Sequence, residues 1–297
     1  MITPTSSPAS HLKANYNLGY ITIISFVAAM GGLLFGYDWV VIGGAKQFFE
    51  PYFNIQNNAT ASGWANSCAL IGCLIGALVA GGLSDKFGRK RLLILSALLF
   101  VVTSLGNAMA HDFNVFIGWR ILGGVAIGLA SNLSPMYIAE IAPAQLRGRL
   151  VSINQLTIVI GVLAAQVINW AIGRHLPAGS TAEEIRNSWY GTECWRWMFA
   201  LTAIPSLLFF AGMFFVPESP RWLIRRGLLE RAQAILARLG GRAYADAEIA
   251  EVKTTLIDEV ADRVRFSELF EPKLRKVLLT GVVLAVFQQW CGINVIF

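Results

Sequence analysis

Seven apolar runs, separated by polar segments, make up most of the chain. They cover about 18–46, 60–82, 92–110, 114–137, 149–172, 196–216 and 275–297. A helix of about 18 or more apolar residues is long enough to cross the ~30 Å hydrocarbon layer of a bilayer. The first run is too long for a cleaved signal peptide and lacks a small-residue cleavage site before a polar domain. The pattern therefore predicts an all-α membrane protein with seven transmembrane helices.

The polar segment 217–274 is the longest stretch between two apolar runs. Its apolar residues recur at helical spacing and are followed by two glycines: Leu228, Ala232, Ile235, Leu239, then Gly240 and Gly241. We predict several short helices here, joining two membrane bundles. Because the chain ends at Phe297, inside the seventh run, we expect the N-terminal part of a longer protein. The predicted regions are a cytoplasmic tail (1–17), a six-helix bundle (18–216), a cytoplasmic helical linker (217–274) and a seventh transmembrane helix (275–297).

Composition and charge agree with a membrane location. Hydrophobic residues make up 55% of the chain, charged residues only 14%, and the mean hydropathy is +0.56, which leaves too few polar residues to cover a soluble domain. The net charge of +6 comes from Lys and Arg in alternate loops, at 83–91, 147–149 and 221–276. Basic loops stay in the cytoplasm, so the N-terminus is predicted to lie there. The membrane is expected to be a bacterial inner membrane. No nucleic-acid recognition motif accompanies these charges, and we expect no nucleic-acid partner.

The four cysteines and three histidines show no metal-ligand spacing. Three cysteines fall inside apolar runs and the fourth stands alone in a loop, which is neither a disulfide framework nor a metal site. No catalytic nucleophile motif or phosphate-binding loop occurs with them. We therefore expect no metal, no cofactor and no enzymatic activity.

Two opposite charges lie well inside apolar runs, Asp38 in the first and Arg120 in the fourth. A charge at membrane depth is costly and usually persists only with a partner or a function. Asp38 lies about eight residues before the end of its run and Arg120 about six residues after the start of its own, so at ~1.5 Å per residue both are roughly 10 Å below the same surface. We predict that they pair, and that they are the only acid and base buried in the spans.

Two roles remain open for this pair. It can be a static salt bridge that braces the fold. Alternatively it is a proton switch, in which Arg120 keeps Asp38 ionised and separation of the two favours protonation of Asp38. Protonation is then tied to conformation, and a proton gradient drives uptake of a solute.

Acid and base residues recur in the three loops predicted on the cytoplasmic side. The loops contain GLSDKFGRKR at 82–91, PMYIAEIAP at 135–143 followed by RGR at 147–149, and PESPR at 217–221. Each one alone is an ordinary basic turn. Together they predict a set of acid–base pairs on one face of the membrane.

These three motifs, together with GGLLFGYD at 31–38, WRWMF at 195–199, QQ at 288–289 and GIN at 292–294, resemble the sugar porters of the major facilitator superfamily. The resemblance covers nearly the whole chain from about residue 31. It implies an all-α fold of about twelve helices in two six-helix bundles, linked by cytoplasmic helices. The present chain then corresponds to the first bundle, the linker and the seventh helix.

The resemblance also implies roles for individual residues. Sugar contacts are implied at Gln155, Gln288, Gln289 and Asn294, with Phe35 in the cavity wall. A cytoplasmic gate that latches shut in the outward-open state is implied for Asp85, Arg89, Glu140, Arg147, Glu218 and Arg221. An aspartate at the position of Asp38 resembles the mark of proton symporters, which implies proton coupling through Asp38 and Arg120. Val162 stands where some members have Gln, and this departure leaves the sugar open.

Amide side chains suit sugar binding because each offers donors and acceptors to a ring of hydroxyls. In the fifth run one helical face carries Gln155, Val159, Val162, Gln166 and Asn169. We predict that this face lines the cavity, with Gln166 and Asn169 in its outer vestibule. The alternative is that these amides join neighbouring helices.

Three functions are therefore considered. The first is secondary active transport of a monosaccharide, a hexose or pentose, by proton symport and alternating access. A passive sugar facilitator is the second, and a sugar sensor that does not transport is the third. The expected partners are the sugar, a proton and the lipid bilayer, and we expect a monomer.

Overall fold

The computed structural model describes residues 16–177, 179–261 and 272–290, which form α-helices and connecting turns. The helices are α1 (Leu18–Phe53), α2 (Ala59–Phe87), α3 (Arg89–Ala108), α4 (Phe113–Ile141), α5 (Arg147–Gly173), α6 (Ala182–Asn187), α7 (Trp195–Ala200), α8 (Ala203–Phe215), α9 (Pro220–Arg225), α10 (Leu229–Gly240), α11 (Arg242–Ala261) and α12 (Pro272–Trp290). A π-helical turn, Tyr190–Cys194, leads into α7. No strand occurs in the described ranges, and the predicted all-α class is confirmed.

The chain forms two compact units, residues 1–249 and 250–297. Within the described ranges, six helical segments are long and apolar enough to cross a membrane: α1 to α5, and the segment Tyr190–Phe215 that ends with α8. These correspond to the first six predicted spans. The described part of the seventh is α12, in the second unit, and residues 291–297 lie outside the described residues.

Helix α1 packs along α5, and α2 packs along α4. At Gly36 of α1 a side chain would collide with the backbone carbonyl of Ile158 in α5. At Gly128 of α4 a side chain would collide with the carbonyl of Cys73 in α2. Glycines let membrane helices approach closely enough for backbone contact, and they set the spacing of this bundle.

Helix α1 continues about two turns past the predicted end at residue 46. Pro51 lies inside its last turn, and Asn54 ends the helix in a left-handed conformation with φ 57°. Phe48 and Phe49 are fully buried in these extra turns, and the ring of Phe49 packs 5.3 Å from that of Phe116. Burial of aromatic surface therefore extends the helix beyond the end of the apolar run.

Residues of α10 and α11 contact the two residues that precede α1. The backbone N–H of Asn17 donates to the carbonyl of Leu239 at 2.9 Å, and the ring of Tyr16 packs edge-on against that of Tyr244 with centroids 5.4 Å apart. Burial raises the pKa of Tyr244, and nearby Glu248 adds to the effect. The apolar helix face predicted from the spacing of residues 228, 232, 235 and 239 is largely confirmed. Ala232 and Leu239 of α10 are buried, Ile235 is half-buried and Leu228 is exposed.

Candidate functional site

Asp38 and Arg120 form an ion pair inside the bundle. Nη1 of Arg120 lies 3.0 Å from Oδ1 and 2.9 Å from Oδ2 of Asp38. Both residues are buried, with 8% and 2% of their surfaces exposed. The pairing predicted from matched depth is confirmed, although α1 extends further than expected, because α1 and α4 pack directly against each other.

The pair uses only one of the guanidinium nitrogens. In the strongest arginine–carboxylate geometry two nitrogens donate in parallel to two oxygens, whereas here Nη1 serves both oxygens of Asp38. Nε of Arg120 is buried without a hydrogen-bond partner among the described residues, and the guanidinium lies 5.7 Å from the ring centroid of Phe199. The pair is therefore buried yet incompletely hydrogen-bonded, and it can separate at a lower cost than a two-pronged pair.

Arg120 is not the only buried base, which corrects the expectation from the sequence. Arg89 and Arg196 are also buried, at helix ends. Nη1 of Arg196 donates to the carbonyl of Ala108 at 2.6 Å, and Nη2 donates to the hydroxyl of Tyr52 at 3.0 Å. Its guanidinium also stacks 4.5 Å from the ring of Trp195. Arg196 begins the sixth predicted span, and its contacts tie the ends of α1 and α3 to α7.

Two of the five predicted sugar-contacting residues lie on the contacting helices α1 and α5. Phe35 is half-buried, with its ring 6.4 Å from that of Trp39 one turn further along α1. Gln155 is exposed on α5. Gln288 and Gln289 belong to α12 in the second unit, with side chains outside the described part, and Asn294 lies outside the described residues.

The predicted cavity face of α5 divides into an exposed part and a packed part. Gln155, Val159 and Gln166 are exposed, and Val162 is half-buried. The side-chain amide of Asn169 instead points to α1, where it donates to the carbonyls of Val40 and Val41 at 3.4 and 3.5 Å. Asn169 therefore joins two helices, the alternative considered above, because Gly44 of α1 leaves room for its amide.

Charged residues from the three sequence motifs meet at the end of the bundle where α1 begins. Arg89 lies at the start of α3. Its Nη2 is 3.0 Å from Oε1 of Glu140 in α4, and its Nη1 is 3.1 Å from Oδ1 of Asp85 in α2. Arg225 of α9 pairs with the same carboxyl oxygen of Asp85 at 3.1 Å. The Arg89–Glu140 pair thus links two of the motifs, since the helices bring distant loops together. Arg147 and Arg221 of the predicted gate are exposed near this end, at the starts of α5 and α9.

Glu218 caps the amino end of α3. Its Oε1 accepts hydrogen bonds from the backbone N–H groups of Arg89 and Lys90, both at 3.0 Å, and from that of Ser219 at 2.9 Å. Unpaired N–H groups and the helix dipole favour a carboxylate at this position. Gly88, with φ 95°, precedes the helix, and a side chain there would collide with the carboxylate of Glu218.

Two further residues of this network were not singled out from the sequence. Ser219 is fully buried, and its hydroxyl donates to the carboxylate of Glu140. The hydroxyl of Tyr137 donates to the carbonyl of Pro217 at 2.6 Å. Both residues stood inside quoted motifs, and Ser before Pro-Arg was a visible helix-capping signal: Oγ of Ser219 accepts from the N–H of Trp222 at 3.3 Å.

Comparison with known proteins places these features in a family. A family model described as "Sugar (and other) transporter" matches residues 24–297. The glucose transport protein of Synechocystis sp. is 40% identical over 100% of this chain and 61% of its own length. The D-xylose-proton symporter of Escherichia coli is 39% identical, over 96% and 60% respectively. The arabinose-proton symporter of Bacillus subtilis is 38% identical, over 99% and 61%. The chain thus spans about three fifths of the length of these relatives.

Solved structures of sugar symporters share the fold of this chain. The proton:xylose symporter XylE bound to 6-bromo-6-deoxy-D-glucose superposes with a TM-score of 0.83 at 39% identity, covering 95% of this chain and 62% of that one. A partially occluded inward-open form of XylE from E. coli superposes with a TM-score of 0.81 at 38% identity, covering 93% and 65%. These matches confirm the major facilitator fold expected from the sequence motifs. The chain is a multi-pass membrane protein and belongs to the sugar transporter family of the major facilitator superfamily.

Proposed function

We propose that this protein carries out secondary active transport of a monosaccharide, a hexose or pentose, by proton symport and alternating access. The transporters named above supply the substrate class, since their names include glucose, xylose and arabinose. The observation that carries the proton coupling is the buried, single-nitrogen pair of Asp38 and Arg120. The protein is proposed to act as a monomer in a bacterial cell membrane, with its N-terminus in the cytoplasm.

The pair can couple a proton to a conformational change because its attraction depends on the charge of Asp38. Ionised Asp38 holds α1 against α4 through Arg120, in a site where little solvent screens the charges. A proton on Asp38 removes that attraction and frees Arg120. When the two residues pair again, the proton leaves Asp38 towards the side of the membrane that is then open.

The residues proposed to bind the sugar are Phe35, Gln155, Gln288, Gln289 and Asn294. Phe35 provides an apolar wall, and Gln155 offers a donor and an acceptor to sugar hydroxyls. Gln288, Gln289 and Asn294 are proposed to complete the site. An exposed amide and a half-buried ring on two contacting helices support this assignment for the first two residues.

The charged network at the start of α1 is proposed to be the cytoplasmic gate. The residues assigned to it are Asp85, Arg89, Glu140, Arg147, Glu218 and Arg221. Arg89 supports the proposal because one buried guanidinium joins carboxylates from α2 and α4. Movement of either helix breaks an ion pair, so the network favours one arrangement of this end.

Asp38→Asn tests the proton coupling. The full-length gene product is reconstituted in proteoliposomes, and uptake of radiolabelled D-glucose and D-xylose is measured with and without an inward proton gradient. We expect the gradient to drive uphill uptake in the wild type but not in Asp38→Asn, whereas counterflow of the same sugar persists. Asp112→Asn is the matched control, because exposed Asp112 caps α4 and asparagine caps a helix equally well.

A passive facilitator is the second candidate, and the same experiment separates it from a symporter. Equal uptake with and without the gradient in the wild type, together with normal counterflow, would identify a facilitator. Uphill uptake that survives in Asp38→Asn would instead show that the pair only braces the fold.

A further inference from the structure

An open groove lies along α1 between about one and three turns past Asp38, towards the end of the helix. It has a volume of about 360 Å³ and is lined by Gly43, Gly44, Lys46, Gln47 and Glu50, which together we name the α1 cavity. This volume falls within the range of roughly 300–1,000 Å³ that is usual for small-ligand sites. Gly43 is exposed and puts no side chain into this space, whereas Gly44 packs against the amide of Asn169 on α5.

The charged side chains of the α1 cavity have partners on α1 and α2, but Lys46 can still bind another group. The hydroxyl of Ser62, from α2, donates to the carboxylate of Glu50, whose side chain is only 13% exposed. Nζ of Lys46 lies 3.8 Å from the same carboxylate, and its side chain is 48% exposed. A long, half-exposed pair of this kind contributes about 0–1 kcal/mol, so Lys46 can take another partner at little cost.

The α1 cavity continues the helix face that carries Phe35. Residues 35, 39, 43 and 47 follow one another at intervals of four, which places them on one side of a helix. Phe35 and Trp39 give this face an aromatic part, and Gln47 with its charged neighbours gives it a polar part. A sugar presents a C–H face and a rim of hydroxyls, and the two parts of the face match these two surfaces.

We propose that the α1 cavity is a second, outer monosaccharide subsite, which holds the sugar before it reaches Phe35 and Gln155. Sugar hydroxyls donate to the carboxylate of Glu50 and to the amide oxygen of Gln47, and accept from Nζ of Lys46. The distance along α1 from residue 35 to residue 47 is about 18 Å, enough to separate two sugars. This inference rests on the proposed function and deepens it, because it adds a step to the path of the same substrate.

Protection of an introduced cysteine tests the subsite directly. Gln47→Cys is placed in the full-length gene product with Cys68, Cys73, Cys194 and Cys291 replaced by alanine. Right-side-out vesicles are treated with a membrane-impermeant maleimide in the presence of increasing D-glucose or D-xylose. We expect a transported sugar to slow labelling of Gln47→Cys. It should not slow labelling of Asn57→Cys, an exposed position at the same end of the bundle and outside the cavity.

A second substitution separates binding at the α1 cavity from closure around the central site. Gln155→Ala is expected to weaken central binding and raise the KM of uptake about tenfold, through loss of hydrogen bonds. Protection of Gln47→Cys should then keep the same half-protecting sugar concentration. A protection curve that shifts in parallel with the KM would overturn the subsite, because protection would then report only the central site.

Uptake kinetics provide a measurement that does not depend on labelling. Glu50→Gln is expected to raise the KM of uptake from the outside about tenfold while the maximal rate stays within about twofold, because a hydroxyl bond to a charged acceptor is lost. Glu193→Gln, at an exposed acid outside the cavity, is the matched control. If the protein takes up sugar but the sugar does not protect Gln47→Cys, and if Glu50→Gln leaves the KM unchanged, the subsite is overturned while the proposed function stands. Absence of uptake and counterflow of every sugar overturns the proposed function as well.

Discussion

At the scale of single residues, the buried charges divide by how completely they are bonded. Arg196 donates to a carbonyl and a hydroxyl and stacks on Trp195, so it has the contacts of a structural brace. Arg120 has one carboxylate partner, reached through one nitrogen, and a buried Nε without a partner in the described part of the chain. Among the described residues, Asp38 is the one hydrogen-bond acceptor of Arg120, and an acceptor that can change its charge suits a switch.

Replacement of Arg120 tests how strongly the pair is coupled. Arg120→Met leaves Asp38 buried beside an apolar side chain, and loss of one partner of a buried pair costs about 3–5 kcal/mol. The double variant Asp38→Asn/Arg120→Met removes both charges and should recover most of that loss. Thermal unfolding of the purified full-length protein in detergent measures both variants. A double variant no more stable than Arg120→Met would contradict the coupling.

The pairing of Asp38 with Arg120 could be predicted from the sequence because both depths follow from position within an apolar run. The capping of α3 by Glu218 could not, since the carboxylate and the N–H group of Arg89 are 129 residues apart. Asn169 shows a different limit. Its place on a helix face was correct, but whether an amide faces a cavity or a neighbouring backbone depends on the approach of α1 at Gly44.

At the scale of helices, backbone contact and end capping hold the elements in place. Apolar length predicted the six spans to within a few residues at most ends. The end of α1 was wrong because aromatic packing beyond residue 46 is a tertiary effect. The turn between α2 and α3 is a single residue, Gly88, since Glu218 takes over the capping of the next helix.

The cap on α3 predicts a graded loss of stability. Glu218→Ala removes the acceptor for the N–H groups of Arg89 and Lys90 and should cost about 1–2 kcal/mol. Glu218→Gln keeps an amide oxygen as acceptor and should cost less. Hydrogen exchange at these two amides, followed by mass spectrometry, should rise most in the alanine variant. Equal exchange in the wild type and both variants would mean that the capping bonds contribute nothing.

The contact between α1 and α5 predicts strong dependence on one glycine. Gly36→Ala places a methyl group against the carbonyl of Ile158 and should force the two helices apart. Gly81→Ala in α2 is the control, because a methyl group there meets no neighbouring atom within 4 Å. The first variant should lower the unfolding temperature and the yield of folded protein. The second should be neutral or gain up to ~1 kcal/mol from helix propensity. Similar unfolding temperatures would contradict the close packing.

At the scale of the whole molecule, the residues proposed to bind the sugar come from distant parts of the chain. Phe35 and Gln155 belong to the first unit, whereas Gln288 and Gln289 belong to the second. We propose that alternating access exposes these residues first to one side of the membrane and then to the other. The family match supports transport as the proposed function, and the names of the relatives support a sugar as the proposed substrate.

The central claim is that Asp38 binds the proton that travels with the sugar, and one measurement tests it most directly. Sugar is added to de-energised, weakly buffered cells that express the full-length protein, and the external pH is recorded. We predict that D-xylose or D-glucose raises the external pH in the wild type and in Asp112→Asn, because protons enter with the sugar. Asp38→Asn should give no change in pH while it still exchanges labelled sugar. A pH rise of wild-type size in Asp38→Asn would contradict the account.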